Sequence, residues 1–209
     1  MKKTILLGVL SLIFASVSFA QVQVGITAGL SGSSFIESGE DAQDFNYLVG
    51  FQGGLVVDFN LTPKFSVIPE LLFSQRGAYQ KFEEADNSKN TIKYFCTINY
   101  VQLPVNVAYK FNPKWFIFAG PYVGYAISGS QKQETNINGE KETETEDIEF
   151  GSGISQMNPL DYGVNFGAGM NFGKGFIKLQ YNLGLGNLYN HSSATLKNTN
   201  GAITVGYFF

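Results

Sequence analysis

The last eight residues, Ala202-Ile203-Thr204-Val205-Gly206-Tyr207-Phe208-Phe209, alternate with period two and finish on an aromatic ring. Ile203, Val205, Tyr207 and Phe209 are large and apolar, while Ala202, Thr204 and Gly206 between them are small or polar. This spacing reads as a strand with one apolar face. A water-soluble domain seldom ends on such a strand without polar residues to finish its edge. A strand that closes a membrane barrel can, because its outer face meets lipid and both its edges are paired.

The other end of the chain agrees. Lys2 and Lys3 precede an uncharged apolar run, and Ser18-Phe19-Ala20 then places small residues at the −3 and −1 sites of a signal peptidase. The order reads as a secretory signal peptide over residues 1–20, with cleavage between Ala20 and Gln21 and a single exported domain over 21–209. No cysteine follows the small residues, so lipoprotein processing is not expected.

Between these ends no stretch approaches the length of a transmembrane helix. Apolar residues are instead dealt out in alternating pieces, rich in Gly, Tyr and Phe, the dilute signal of a transmembrane β-barrel. Seven further strands can be read by their apolar phase. They begin with Val22, Val24, Ile26, Ala28 and Leu30, and continue with Tyr47, Val49, Phe51, Leu55, Val57 and Phe59. Phe65, Val67, Pro69, Leu71 and Phe73 mark the third, and Val101, Leu103, Val105, Val107 and Tyr109 the fourth. Trp115, Ile117, Val123, Tyr125 and Ile127 mark the fifth. The sixth runs along 160–172, with Asp161 and Asn165 on its polar phase, and the seventh along 177–185. The fold class predicted is all-β, an eight-stranded antiparallel transmembrane barrel.

The connections alternate in length. Leu61-Thr62-Pro63-Lys64, Asn112-Pro113-Lys114 and Gly173-Lys174-Gly175 are tight turns. Around 31–46, 78–92, 130–158 and 188–199 lie longer polar segments, expected as external loops opposite short periplasmic turns. Tyr47, Phe59, Phe65, Tyr109, Trp115, Phe172, Phe176 and Tyr207 fall near strand ends, where interfacial aromatic girdles are expected. Periodicity alone does not separate inside from outside; the charges do. Asp58, Glu70, Arg76, Lys110 and Lys178 fall on the phase opposite the apolar one. An apolar soluble-barrel interior would be penalised for holding them, whereas a narrow polar lumen can pair them. Glu70, Arg76, Lys110 and Lys178 are therefore expected to form a charge network across the lumen.

Two segments, Pro69-Glu70-Leu71-Leu72-Phe73-Ser74-Gln75-Arg76-Gly77 and Tyr100-Val101-Gln102-Leu103-Pro104-Val105-Asn106-Val107-Ala108-Tyr109-Lys110-Phe111, together with Phe118-Ala119-Gly120-Pro121-Tyr122-Val123-Gly124-Tyr125, resemble the PorT-type outer-membrane β-barrel family. The resemblance spans essentially the whole mature chain. It implies a barrel in the cell outer membrane, surrounded by outer-membrane lipid.

Chemistry is sparse. His191 is the single histidine and Cys96 the single cysteine, so no internal disulfide forms and no thiolate metal site can be built. An enzyme would have to centre on His191, followed by Ser192 and Ser193 and paired with Asp41 or Asp44; a solvated loop histidine is the simpler reading. The run Glu140, Glu142, Glu144, Glu146, Asp147 and Glu149 lacks the spacing of a calcium loop, and its Glu-Thr alternation reads as an exposed hairpin arm. No cofactor, metal or catalytic residue is expected. A net charge of −3 argues against a nucleic-acid partner. Eight strands leave an interior just wide enough for side chains, so no open pore is expected. The favoured reading is a structural or interaction protein that meets an envelope or extracellular protein partner through its loops. The alternatives are an enzyme centred on His191 and a narrow conduit or carrier for a small hydrophobic molecule.

Overall fold

The computed structural model describes residues 21–39, 43–84, 87–137, 140–153, 156–190 and 194–209. Nine strands follow in chain order: β1 (Gln21–Ser38), β2 (Asn46–Asn60), β3 (Phe65–Glu84), β4 (Asn87–Lys110), β5 (Trp115–Ile137), β6 (Glu140–Asp147), β7 (Leu160–Phe172), β8 (Gly175–Gly184) and β9 (Thr195–Phe208). All pair antiparallel. Eight close into a ring, because β1 pairs with β9, β5 with β7, and β4 with β5. β6 stands outside the ring as the return strand of a hairpin on β5. The eight-stranded barrel is thus as expected, with the acidic run forming the expected arm.

The period-two faces hold. Val24, Val105, Leu179 and Ile203 point outward and are exposed, while Gln52, Ser74, Gln102, Asn106 and Asn182 point inward and are buried. A ring of aromatics follows the short-turn end, with Phe65 against Tyr109 at 5.1 Å between ring centroids and Tyr109 against Phe111 at 5.2 Å. The tight turns sit where expected. Thr62 Oγ1 accepts from the Phe65 amide at 2.9 Å, and Asn112 Oδ1 accepts from the Trp115 amide at 2.9 Å. The terminal strand is tied at both edges: the Phe208 amide donates to Lys174 O and the Phe209 amide to Val24 O.

Two expectations are corrected. Phe176 does not belong to a girdle. Ile177, Leu179 and Tyr181 face outward, so its parity turns it into the lumen, where it is buried. The external segments are also far less loop-like than their polarity suggests. β3 continues to Glu84, β4 begins at Asn87, and β5 runs to Ile137, so these strands rise as a sheet beyond the lipid-facing belt. Above the membrane both faces meet water, so the apolar alternation that marks a strand in the sequence fades while the ladder continues.

Candidate functional site

The lumen is filled in layers. At the short-turn end Phe116, Phe118, Phe176 and Phe208 pack with Val56, Ile68 and Ala108. Phe176 and Phe208 lie 4.9 Å apart between centroids. Glycines make room for these rings: a Cβ at Gly169 would run into Phe116, and one at Gly206 into Phe176. Residues facing a narrow lumen must alternate in size, and this is where the barrel spends its glycines.

Above the rings lies an ion pair. Lys178 Nζ donates to Glu70 Oε1 at 2.6 Å, joining β8 to β3 across the interior. Asn106 Nδ2 donates to the same oxygen at 3.4 Å, and Asn165 Nδ2 donates to Asn106 Oδ1 at 3.2 Å. The Lys178 ammonium sits 5.6 Å from the centroids of both Phe118 and Phe176, within cation–π range. At the short-turn end, level with Phe116, Lys110 Nζ pairs with Asp58 Oδ2 at 3.0 Å and also donates to Asn60 Oδ1.

A third knot lies nearer the external side. Arg76 donates to Asp161 Oδ2 at 3.0 Å, to Gln102 Oε1 at 2.6 Å and to Ser74 Oγ at 3.2 Å. Tyr122 donates its hydroxyl to the same Asp161 oxygen at 3.2 Å, and its ring centroid lies 5.2 Å from the guanidinium carbon. A guanidinium so held uses its planar fork and its face together. All four expected network residues therefore point into the lumen. Only Glu70 and Lys178 pair with each other. Arg76 and Lys110 instead take Asp161 and Asp58, which parity placed inside but could not match to a partner. Buried polar atoms of Gln52, Asn182 and Asn200 have no protein partner, as suits a lumen whose remaining space is hydrated.

The external mouth is different. Phe35, Ala78, Ile98, Tyr100, Ala126, Leu188 and Leu196 form a buried apolar cluster there. Over it opens a cavity of about 360 Å³, bordered by Phe35, Phe45, Phe95, Tyr189, Met157 and Leu196. Burial pushes the Cys96 thiol on its wall up to about 12, so it is protonated at neutral pH. Tyr189 is also pushed up to about 12, by burial first and then by the Glu37 carboxylate that accepts its hydroxyl hydrogen bond at 3.1 Å. No sequence pattern signals this pocket, because its residues come from six strands and three connections. Among the described residues no His, Cys, Asp and Glu side chains converge as a metal site. Ala20, Asp41 and His191 lie outside the described residues, so the signal cleavage site is described only from Gln21 and the His191 constellation is not described at all. Asp44 contributes its backbone oxygen to Gln80 Nε2 at 3.5 Å.

A model of the outer membrane protein beta-barrel domain matches residues 16–190. No curated protein matches the chain. Among solved structures, the attachment invasion locus protein Ail of Yersinia pestis is similar over 90% of this chain and 99% of its own, at 16% identity and a TM-score of 0.50. Neisserial surface protein A covers the same shares at 8% identity and a TM-score of 0.47. The outer membrane protease OmpT of Escherichia coli covers 91% of this chain and 97% of its own, at 11% identity and a TM-score of 0.35.

Proposed function

We propose that this chain, which belongs to the outer membrane protein beta-barrel domain family, is an interaction protein of the cell envelope that meets its partner through the sheet standing outside the membrane. Its location is the outer membrane. Pro69 to Gly77 and Tyr100 to Phe111 carry its further assignment to the PorT-type barrels, and export with cleavage after Ala20 belongs to the same reading. A mature chain that starts at Gln21 when sequenced from its N-terminus supports that export route; one that starts at Met1 rejects it.

The observation that carries the interaction role is the arm. β5 and β6 pair from Ser130 with Asp147 to Ile137 with Glu140, every β6 side chain is exposed, and no strand among the described residues covers the other edge of β6. An open, acidic edge strand is a template for a basic partner segment, held by main-chain hydrogen bonds and complementary charge. Lumen layers of paired charges and phenyl rings favour this role over a conduit. The role is a non-enzymatic one, which assays for hydrolysis and acyl transfer on the purified barrel and on His191→Ala test.

Replacing residues 133–150 by a short Gly-Ser link should leave folding intact, since the eight ring strands pair without β6. The altered barrel should keep its heat-modifiable mobility on gels and lose partner recovery from intact envelopes. Unchanged recovery would reject the arm as the contact surface.

A further inference from the structure

We infer that the cavity at the external mouth is a binding site for a small organic cation with an aromatic or branched aliphatic body. Cross-strand register assembles the site. Glu146, Gln131, Cys96 and Ala78 form one row across β6, β5, β4 and β3, and Glu144, Gln133, Tyr94 and Gln80 form the next. Side chains opposite one another in antiparallel strands share a face, and Ala78 fixes that face as the one turned toward the mouth, since it is buried in the apolar cluster. The arm therefore hangs the carboxylates of Glu144 and Glu146 over an aromatic floor.

The shape of the site follows. Phe35 and Phe45 meet edge to face at 5.6 Å, and Tyr189, Met157 and Leu196 complete the apolar wall. About 360 Å³ is at the small end of the range for pockets that hold organic ligands. The tight knot of Arg76, Asp161 and Tyr122 lies below it, so the site is a blind receptor pocket rather than the top of a passage.

Charge selects the ligand. Among the described residues Glu144 and Glu146 make no ion pair, and Glu37 adds a third carboxylate beside Tyr189. The positive groups on this stretch of sheet are committed elsewhere or face away. Lys132 borders the cavity but is held by Glu134 at 2.6 Å, a contact that lowers the Glu134 pKa, and Lys141 takes the opposite parity on β6. A neutral molecule would gain only the apolar floor, and an anion would be repelled. A quaternary or alkyl ammonium gains the carboxylates, and aromatic faces attract it as well. This site is separate from the open edge of β6 proposed as the protein contact, and its test needs no protein partner.

The test uses the full mature barrel in zwitterionic nanodiscs, with empty nanodiscs as the partition control. Benzyltrimethylammonium, its neutral carbon isostere neopentylbenzene and the anion phenylmethanesulfonate are titrated by saturation-transfer NMR and calorimetry. The expected order is saturable binding of the cation, at least tenfold weaker binding of the isostere, and none of the anion. The E144Q/E146Q variant, changed only at exposed positions, should lose about tenfold for the cation while leaving the isostere unchanged. Met157→Trp should fill the cavity and abolish binding of both. Gln133→Trp, on the arm and outside the apolar cluster, does the same job if Met157→Trp fails to regain heat-modifiable mobility. Signals no larger than those of empty nanodiscs would overturn the site. Equal cation affinity in E144Q/E146Q and the unaltered barrel would overturn the charge selection.

Discussion

Lys178→Met destabilises the barrel by about 3–5 kcal/mol, the cost of leaving a buried carboxylate without its partner. The side chains of Lys178 and Glu70 are 3% and 1% exposed, so water cannot replace either member from outside. Glu70→Gln falls in the same range, because the buried ammonium then loses its counter-charge and keeps only a neutral amide oxygen and the faces of Phe118 and Phe176. The double change E70Q/K178M costs less than the sum, since neither charge is stranded and the methionine still fills the space between the rings. Glu142→Gln, on the exposed arm, should be close to neutral. Reversible unfolding in urea from lipid vesicles measures all four. Single variants within about 0.5 kcal/mol of the unaltered barrel would mean that hydrated lumen space, not the partner, compensates each charge.

The alternation that makes Leu179 lipid-facing also makes Lys178 lumen-facing, and this pairing of opposites is why so much of the fold is legible in the sequence. Period two gives the strand faces from Val24 to Ile203 and turns Glu70, Arg76, Lys110 and Lys178 inward. It also brings the strands of Glu70 and Lys178 to opposite walls of a narrow ring. Pairing needs a second quantity, the stagger between strands, which no single strand encodes. Hence Arg76 finds Asp161 on β7 and Lys110 finds Asp58 on β2, although all four residues were visible on the inward phase. Phe176 sits near a strand end, where an aromatic suggests a girdle, but its parity turns it into the lumen. The rise of β3, β4 and β5 beyond the membrane was hidden for a different reason. Gln80 and Gln133 turn toward the mouth cavity and Lys93 the opposite way, so polar residues occupy both phases and nothing in their order of polarity distinguishes ladder from loop. The mouth cavity is harder still to see. It exists because Ala78, Cys96, Gln131 and Glu146 come into one row, over a floor supplied by Phe35 and Leu196 from the other side of the ring.

Leu179→Arg tests the lipid-facing register most directly. Leu179 is 63% exposed to its surroundings and lies midway along β8, between the turn at Gly173 and the external end near Gly184. In a barrel whose wall meets hydrocarbon, arginine at that depth costs about 2–4 kcal/mol, and the penalty falls to about 0–1 kcal/mol near the interface. Leu160 supplies the matched control. It is the first residue of β7, is also outward and exposed, and sits at the external rim opposite Tyr125. The two substitutions therefore share side chains and orientation and differ in depth. Lumen positions would not serve as controls: Ser74 and Asn106 are fully packed, and Asn106 donates to Glu70, so arginine there would overfill the interior and break the ion-pair layer. Refolding both leucine variants into vesicles and comparing their urea midpoints gives the difference. A larger loss at Leu179 than at Leu160 places the belt around the middle of β8. Equal losses would move it, and no loss at Leu179 would mean that this face of β8 does not meet lipid.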